Sequence, residues 1–121
     1  MSKILIIDDD LFFLDVTQDL LELHEFQVIA AKNGRLGLQL AETQRPDLII
    51  CDIQMPELDG YEVLNKLQSN SVTQNIPVIF ITGEATESVC RRVMELGGYD
   101  CLIKPCRLQD LIQAIKAQLN G

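Results

Sequence analysis

Acidic side chains follow two apolar runs of the chain, at points where buried strands are expected to end. Asp52 closes the run 48–51, and Asp8 and Asp9 follow the run Lys3–Ile7. The carboxyl ends of parallel strands meet at one edge of an open α/β sheet, and such sheets place their chemistry there. The sequence therefore predicts a cluster of carboxylates at one edge of a sheet.

Two further strand ends add a hydroxyl group and an amine to the same edge. The run 77–81 ends at Thr82, and the run 99–103 ends at Lys104. Two carboxylates about 4 Å apart repel by about 4 kcal/mol at an effective dielectric near 20, so the acidic cluster favours a bound cation. Hard oxygen ligands around a small pocket suit Mg²⁺, which also accepts phosphate oxygens. Together these side chains indicate a metal-assisted phosphoryl-transfer site.

Four motifs at these strand ends carry a resemblance to a known family. The motifs are IIDDD, CDIQMPELDG, FITG and LIKP. In this order and spacing they resemble the receiver domain of two-component response regulators, from about Lys3 to about Leu119. Each motif alone is common, whereas four in register are specific. The motifs leave open a receiver-like protein-interaction module that phosphorylation does not regulate.

The resemblance implies a set of metal ligands. Asp9 and Asp52 would bind Mg²⁺ directly, together with the backbone carbonyl of Gln54. Asp8 would act through a metal-bound water. Bound Mg²⁺ would lower the repulsion between the Asp52 carboxylate and an incoming phosphoryl group.

The resemblance also implies the residues that handle the phosphoryl group. Asp52 would be the nucleophile and form an aspartyl phosphate. Thr82 and the backbone amide of Gly83 would donate hydrogen bonds to phosphate oxygens, and Lys104 would neutralise the added charge. In the family a cis peptide joins this lysine to Pro105 and aims the ammonium group inward.

Strand and helix patterns alternate five times along the chain, which predicts an α/β fold. The third and fourth strands are continuous apolar runs, as expected for parallel strands covered on both faces. The second strand, at about 26–31, is the least apolar and is expected at an edge. Right-handed crossovers then give a doubly wound sheet. The resemblance implies the flavodoxin-like strand order 2-1-3-4-5, with five parallel strands and five helices.

Apolar residues at helical spacing predict the face of each helix that packs on the sheet. The five expected stripes are Phe13, Val16, Leu20 and Leu23; Leu36, Gly37, Leu40 and Ala41; Val63, Leu64 and Leu67; Val89, Val93 and Leu96; and Leu108, Leu111, Ile112, Ile115 and Leu119. Asp10 and Asn33 are expected to cap the first and second helices, and the pair Gly97-Gly98 is expected to end the fourth.

Composition limits the kinds of protein this can be. The 121 residues, 47% hydrophobic and 23% charged, predict one globular domain over 1–121, either alone or as the N-terminal part of a longer regulator. A net charge of −8 argues against direct binding to nucleic acid. The apolar runs are far shorter than the roughly 20 residues that cross a bilayer. With no room for a signal peptide before the first strand, we expect a cytoplasmic location.

The cysteines and the histidine have no expected role in the chemistry. Cys51, Cys90, Cys101 and Cys106 show neither CxxC spacing nor a zinc pattern, so we interpret all four as reduced packing residues. His24 is expected on the surface near the end of the first helix, because in two-component systems the donor histidine belongs to the kinase.

The leading hypothesis is a phosphorelay switch. Asp52 would accept the phosphoryl group of a phosphohistidine on a sensor histidine kinase or a phosphotransfer protein. The fourth helix, fifth strand and fifth helix would then signal to a partner or output domain. Such a domain is not an enzyme beyond its own phosphorylation and dephosphorylation.

Two other classes of protein use comparable residues. Phosphatases of the haloacid-dehalogenase type carry an aspartate nucleophile in a DxD motif, which Asp8-x-Asp10 fits, but they need a cap domain that 121 residues cannot hold. In a flavin-binding flavodoxin-like module, the aspartates after the first strand would repel the cofactor phosphate. The remaining alternatives are thus a phosphatase-type hydrolase and the unregulated interaction module.

The sequence departs from the family pattern where activation is usually transmitted. Cys101 stands where receivers usually carry Tyr or Phe, so we expect phosphorylation to survive with a smaller surface change. A family subset dimerises through arginines where this chain has Gln109 and Ala114, so we expect that dimer to be weak or absent. Gln54 and Glu84 are expected to tune the rate of phosphate loss.

Overall fold

The computed structural model describes residues 1–83 and 87–120, and strands and helices alternate through them. The five strands are β1 (Lys3–Ile7), β2 (Gln27–Ala31), β3 (Leu48–Asp52), β4 (Val78–Thr82) and β5 (Asp100–Ile103). The five helices are α1 (Leu11–Leu23), α2 (Gly34–Gln44), α3 (Gly60–Gln68), α4 (Glu87–Glu95) and α5 (Leu108–Asn120). The predicted α/β alternation is confirmed.

All strand pairs in the sheet are parallel, and the strand order is β2-β1-β3-β4-β5. The predicted order and the edge position of β2 are therefore confirmed. In the register of β1 with β3, Ile7 lies opposite Cys51, so Asp8 and Asp52 follow at the same edge. From β1 the chain adds β2 on one side of the sheet, and then β3, β4 and β5 on the other side, so the strand order switches between β1 and β3, which is where such sheets open a crevice for ligands.

The central strands are buried on both faces and divide their side chains between two cores. Leu48 and Ile50 face the core formed with α1 and α5, whereas Ile49 and Cys51 face the core formed with α2, α3 and α4. This alternation follows from the two-residue period of a strand. The central strands are therefore packed on both faces along their length, and the polar side chains that follow them lie at the edge of the sheet.

The face of α1 that packs on the sheet differs from the predicted one. The prediction was a stripe of Phe13, Val16, Leu20 and Leu23, but the buried residues are Leu14, Thr17 and Leu21. Val16 is 39% exposed and Leu23 is 79% exposed. The helix is apolar around most of its circumference, so two stripes of helical spacing compete, and packing on the sheet selects the second. Leu11 and Phe12 consequently remain exposed.

The other helix faces agree with the prediction, with one exception. Val63, Leu64 and Leu67 of α3 are buried, and so are Leu111, Ile112 and Ile115 of α5. The stripe of α2 is also packed into the core formed by α2, α3 and α4. Leu96 was expected to pack inward, but it is 43% exposed because α4 ends one residue earlier.

The predicted helix boundaries have the expected causes. Asp10 and Asn33 cap α1 and α2 by accepting hydrogen bonds from the backbone N–H groups of Phe13 and Leu36. After α4 the chain turns at Gly97, whose φ of +103° favours glycine. His24 lies at the exposed C-terminal end of α1, as predicted. None of the helices in the described ranges is both long and apolar enough to cross a membrane.

Candidate functional site

Asp52 is the last residue of β3, and its side chain is only 9% exposed. The backbone N–H of Gln54 approaches its Oδ1 atom at 3.4 Å. The pKa of Asp52 is raised to about 6, first by burial and then by the charge of Asp8, while Lys104 acts in the opposite direction. The ionised carboxylate is therefore held in an unfavourable environment that a nearby cation would relieve.

Asp59 and Gly60 hold the turn that follows Asp52. The N–H of Gly60 donates to the carbonyl of Ile53 at 2.8 Å, and a Cβ atom at residue 60 would lie 2.5 Å from the Asp52 carbonyl oxygen. Only glycine permits so close an approach. Asp59 caps α3 in a reciprocal capping box with Glu62, which fixes the start of the helix directly after the turn.

Asp8 follows β1 and is completely buried. Its Oδ1 atom accepts a hydrogen bond from the backbone N–H of Asp10 at 2.9 Å. Its Oδ2 atom accepts one from Nζ of Lys104 at 2.6 Å. Both oxygens of this buried carboxylate are thus engaged within the chain.

Lys104 follows β5 and reaches across the edge of the sheet. Its Nζ atom lies 3.6 Å from Oδ2 of Asp52 and 4.3 Å from the centroid of the Phe13 ring. Burial acts to lower the pKa of Lys104, but the hydrogen bond and charge of Asp8 and the charge of Asp52 outweigh it, and the pKa is raised. The predicted cis peptide between Lys104 and Pro105 is present.

Thr82 ends β4 beside this group and is completely buried. Its carbonyl accepts a hydrogen bond from the backbone N–H of Lys104 at 2.7 Å, which ties the two strand ends together. Thr82 also borders a cavity of about 650 Å³ between the loop after β3 and α4, to which Gln54 and Arg92 contribute. The end of β4 therefore faces open space next to the acidic cluster.

The acidic cluster has the composition and size of a Mg²⁺ site. One carboxylate oxygen from each of Asp8, Asp9 and Asp52 lies within 4.8 Å of the others. Asp9 is exposed, whereas Asp8 and Asp52 are buried. Three hard oxygen donors at this spacing fit the ligand preference of Mg²⁺. Because both Asp8 oxygens already accept hydrogen bonds, Asp8 is suited to contact the ion indirectly through a water, as the resemblance implies.

The structure brings Asp8, Asp9, Asp52 and Lys104 together, with Thr82 at the neighbouring strand end, and it adds one residue that was not predicted for the site. Phe13 was assigned to the core, yet its ring lies against the Lys104 ammonium group. The sequence feature that could have indicated this contact is the position of Phe13 in the first turn of α1, three residues after Asp10. The predicted ligand Gln54 lies beside Asp52, while Glu84 lies outside the described residues.

Comparison with known proteins identifies the family. Residues 4–116 match the family described as "Response regulator receiver domain". The chain is 36% identical over 121 residues to Protein PilH of Pseudomonas aeruginosa, covering 100% of both chains. It is 39% identical to the transcriptional regulatory protein CpxR homolog of Haemophilus influenzae, covering 99% of this chain and 51% of that protein.

Solved structures agree with this match. The fold is similar to that of the Vibrio cholerae chemotaxis protein CheY4, with a TM-score of 0.92 and 26% identity over 98% of this chain and 99% of that one. Receiver domains are phosphorelay signalling domains of two-component systems rather than enzymes that act on separate substrates, and the family typically binds Mg²⁺. The chain belongs to the response regulator receiver family and functions in phosphorelay signalling.

Proposed function

We propose that Asp52 is the phosphoacceptor of this receiver and takes its phosphoryl group from a phosphohistidine on a sensor histidine kinase or phosphotransfer protein. The P–N bond to the imidazole breaks as a P–O bond forms to an Oδ atom of Asp52, and the imidazole leaves with a proton from solvent. The observation that carries this assignment is the position of Asp52, a buried carboxylate ending β3 within the acidic cluster and 3.6 Å from Lys104.

Asp9, Asp52 and the backbone carbonyl of Gln54 would hold Mg²⁺ directly, and Asp8 would hold it through water. The 4.8 Å grouping of the three carboxylates supports this ligand set. Bound Mg²⁺ supplies positive charge for the phosphoryl oxygens. Asp8 has a second role toward Lys104, which it orients through the 2.6 Å hydrogen bond.

Lys104, Thr82 and the backbone N–H of Gly83 would receive the phosphoryl oxygens on Asp52. Lys104 is a point cation already close to the acceptor carboxylate, and Thr82 is held beside it through the backbone. After transfer, the ammonium group would exchange its hydrogen bond to Asp8 for one to a phosphoryl oxygen. Because a charged donor and acceptor make strong hydrogen bonds, this exchange couples phosphorylation to movement at the end of β5.

The output surface would be formed by α4, β5 and α5. Exposed apolar side chains on or beside these elements support this assignment: Met94 is 50%, Tyr99 49% and Ile103 50% exposed. Residues 1–121 would form one receiver domain whose catalysis is limited to its own phosphorylation and dephosphorylation. With a net charge of −8, it would act on protein partners rather than on nucleic acid.

The assignment of Asp52 can be tested by incubating the chain with acetyl phosphate and Mg²⁺ and measuring its intact mass. We expect the wild-type chain to gain one phosphoryl group and Asp52→Asn to gain none. Asp47→Asn is the matched control, because Asp47 lies just before the opposite end of β3 and accepts a hydrogen bond from Lys3 there. Labelling of Asp52→Asn at the wild-type rate would show that another residue is the acceptor.

A further inference from the structure

Cys101 lies where β5 packs against α4. It is paired in register with Phe80 of β4, and neighbours in a parallel register share a face of the sheet. Phe80 is buried in the core that includes Val93 of α4, and Cys101 packs against that core. The Cys101 side chain therefore lies under α4 and is half-buried.

Cys90 lies on the side of α4 that faces this strand. It precedes Val93 by three residues, and residues at that spacing share a helix face. The pKa of Cys101 is raised to about 12, first by burial and then by a hydrogen bond with the Cys90 thiol. Tyr61 of α3 packs against the same core as Cys101, so α3, α4 and β5 meet near this thiol.

We propose that Cys90 and Cys101 form a redox-modification site, in which a peroxide closes a disulfide that ties α4 to β5. The packing of α4 on β5 places both residues at the same contact, and both thiols are free and only half-buried, so a small oxidant can reach them. The other two cysteines lack this arrangement. Cys51 is completely buried, and Cys106 packs against the core on the opposite face of the sheet.

The chemistry uses one molecule of hydrogen peroxide for each disulfide. Because burial keeps Cys101 protonated at neutral pH, we assign the first attack on the peroxide to the sulfur of Cys90, whose thiol proton leaves with the departing hydroxide. The O–O bond breaks, giving a sulfenic acid on Cys90 and one water. The sulfur of Cys101 then attacks the sulfur of Cys90, the S–O bond breaks, and the proton of Cys101 leaves with hydroxide as a second water. A dithiol reductant reverses the modification by thiol–disulfide exchange.

The disulfide would restrain the surface that is proposed to transmit the signal. A disulfide requires its two Cα atoms to lie within about 7 Å, so it holds α4 against the middle of β5. This consequence rests on the proposed function, since it takes α4 and β5 as the output surface. Oxidation would leave Asp52 able to accept a phosphoryl group while preventing α4 from responding to it.

The first test treats the full chain with hydrogen peroxide, blocks remaining thiols with N-ethylmaleimide and maps peptides without reduction. We expect a monomer that is lighter by two hydrogens before blocking, and a peptide linking Cys90 to Cys101 that dithiothreitol releases. Cys90→Ser should abolish the link, and Cys106→Ser, the matched control, should keep it. If Cys90→Ser disturbs the fold by circular dichroism, Cys90→Ala replaces it. Peroxide-treated wild type that retains both thiols, or carries a sulfinic acid on Cys90 without a link, would overturn the proposal.

The second test measures amide hydrogen exchange with and without acetyl phosphate, in the reduced and oxidised chains. We expect phosphorylation to change exchange in α4 of the reduced chain and to leave it unchanged in the oxidised chain. Intact mass of the same samples separates the two hypotheses. An unlabelled reduced chain would contradict the proposed function, whereas an oxidised α4 that responds like the reduced one would contradict the restraint.

Discussion

The Nζ atom of Lys104 lies 2.6 Å from Oδ2 of Asp8 but 3.6 Å from Oδ2 of Asp52. In the unphosphorylated chain the ammonium group therefore pairs mainly with a carboxylate that is not the proposed acceptor. Asp8 is completely buried, so its charge depends on this partner and on the N–H of Asp10. The pair has a structural role as well as a place in the proposed chemistry.

Lys104→Met should lower the free energy of unfolding by about 3 kcal/mol, because it leaves the buried charge of Asp8 without its partner. Chemical denaturation in the absence of Mg²⁺ measures this loss. The double variant Asp8→Asn, Lys104→Met should recover much of the stability, since no unpaired charge remains. Lys116→Met, on the exposed face of α5, is the control and should change little. Equal losses at the two lysines would show that the ion pair does not stabilise the fold.

Phe13→Leu should slow the labelling of Asp52 by acetyl phosphate several-fold and destabilise the chain by about 1 kcal/mol, because the Lys104 ammonium group loses its contact with the ring. The matched control is Phe12→Leu, at a neighbouring position where the ring is 77% exposed. The initial rate of mass gain at fixed Mg²⁺ separates the two variants. If both label at the wild-type rate, the ring does not position Lys104.

The strand ends could be predicted from the sequence because each is an apolar run that stops at a polar residue, and the fold brings such ends together. The strand pattern alone was enough to place three site residues at one edge of the sheet: Asp52, Thr82 and Lys104. The contact of Phe13 with Lys104 was not predicted, because α1 carries apolar residues on several faces and periodicity alone does not choose among them. The pairing of Lys104 with Asp8 rather than Asp52 depends on differences of about 1 Å, which spacing in the sequence does not encode.

The same limit applies to the thiols. Cys90 and Cys101 are separated by the end of one helix and a glycine turn, and neither belongs to a short cysteine motif. Their interaction follows from the packing of α4 on β5, through the register of Cys101 with Phe80. From the sequence, these cysteines could therefore be interpreted only as packing residues.

The pH dependence of stability should reflect the raised pKa of Asp52. The folded chain binds this proton up to about pH 6, whereas the unfolded chain binds it only below the ordinary value of 3.8. Protonation therefore favours the folded state, and this contribution is complete below pH 3.8 and lost as the pH rises through 6. In EDTA, wild type relative to Asp52→Asn should gain about 2 kcal/mol between pH 8 and pH 4. Urea titrations at each pH measure the free energy of unfolding. If this free energy changed with pH in the same way in both proteins, the raised pKa of Asp52 would be contradicted.

Asp9→Ala should abolish Mg²⁺ binding and the labelling of Asp52, because it removes an exposed carboxylate of the acidic cluster. In EDTA the same variant should melt at or above the wild-type temperature, since one of three crowded negative charges is gone. Asp10→Ala provides the matched control at the next residue. It should bind Mg²⁺ normally but lose about 1 kcal/mol of stability, because Asp10 caps α1. Calorimetric titration with Mg²⁺ and thermal melts of both variants test these expectations. An Asp9→Ala chain that melts well below wild type in EDTA would contradict the argument from charge repulsion.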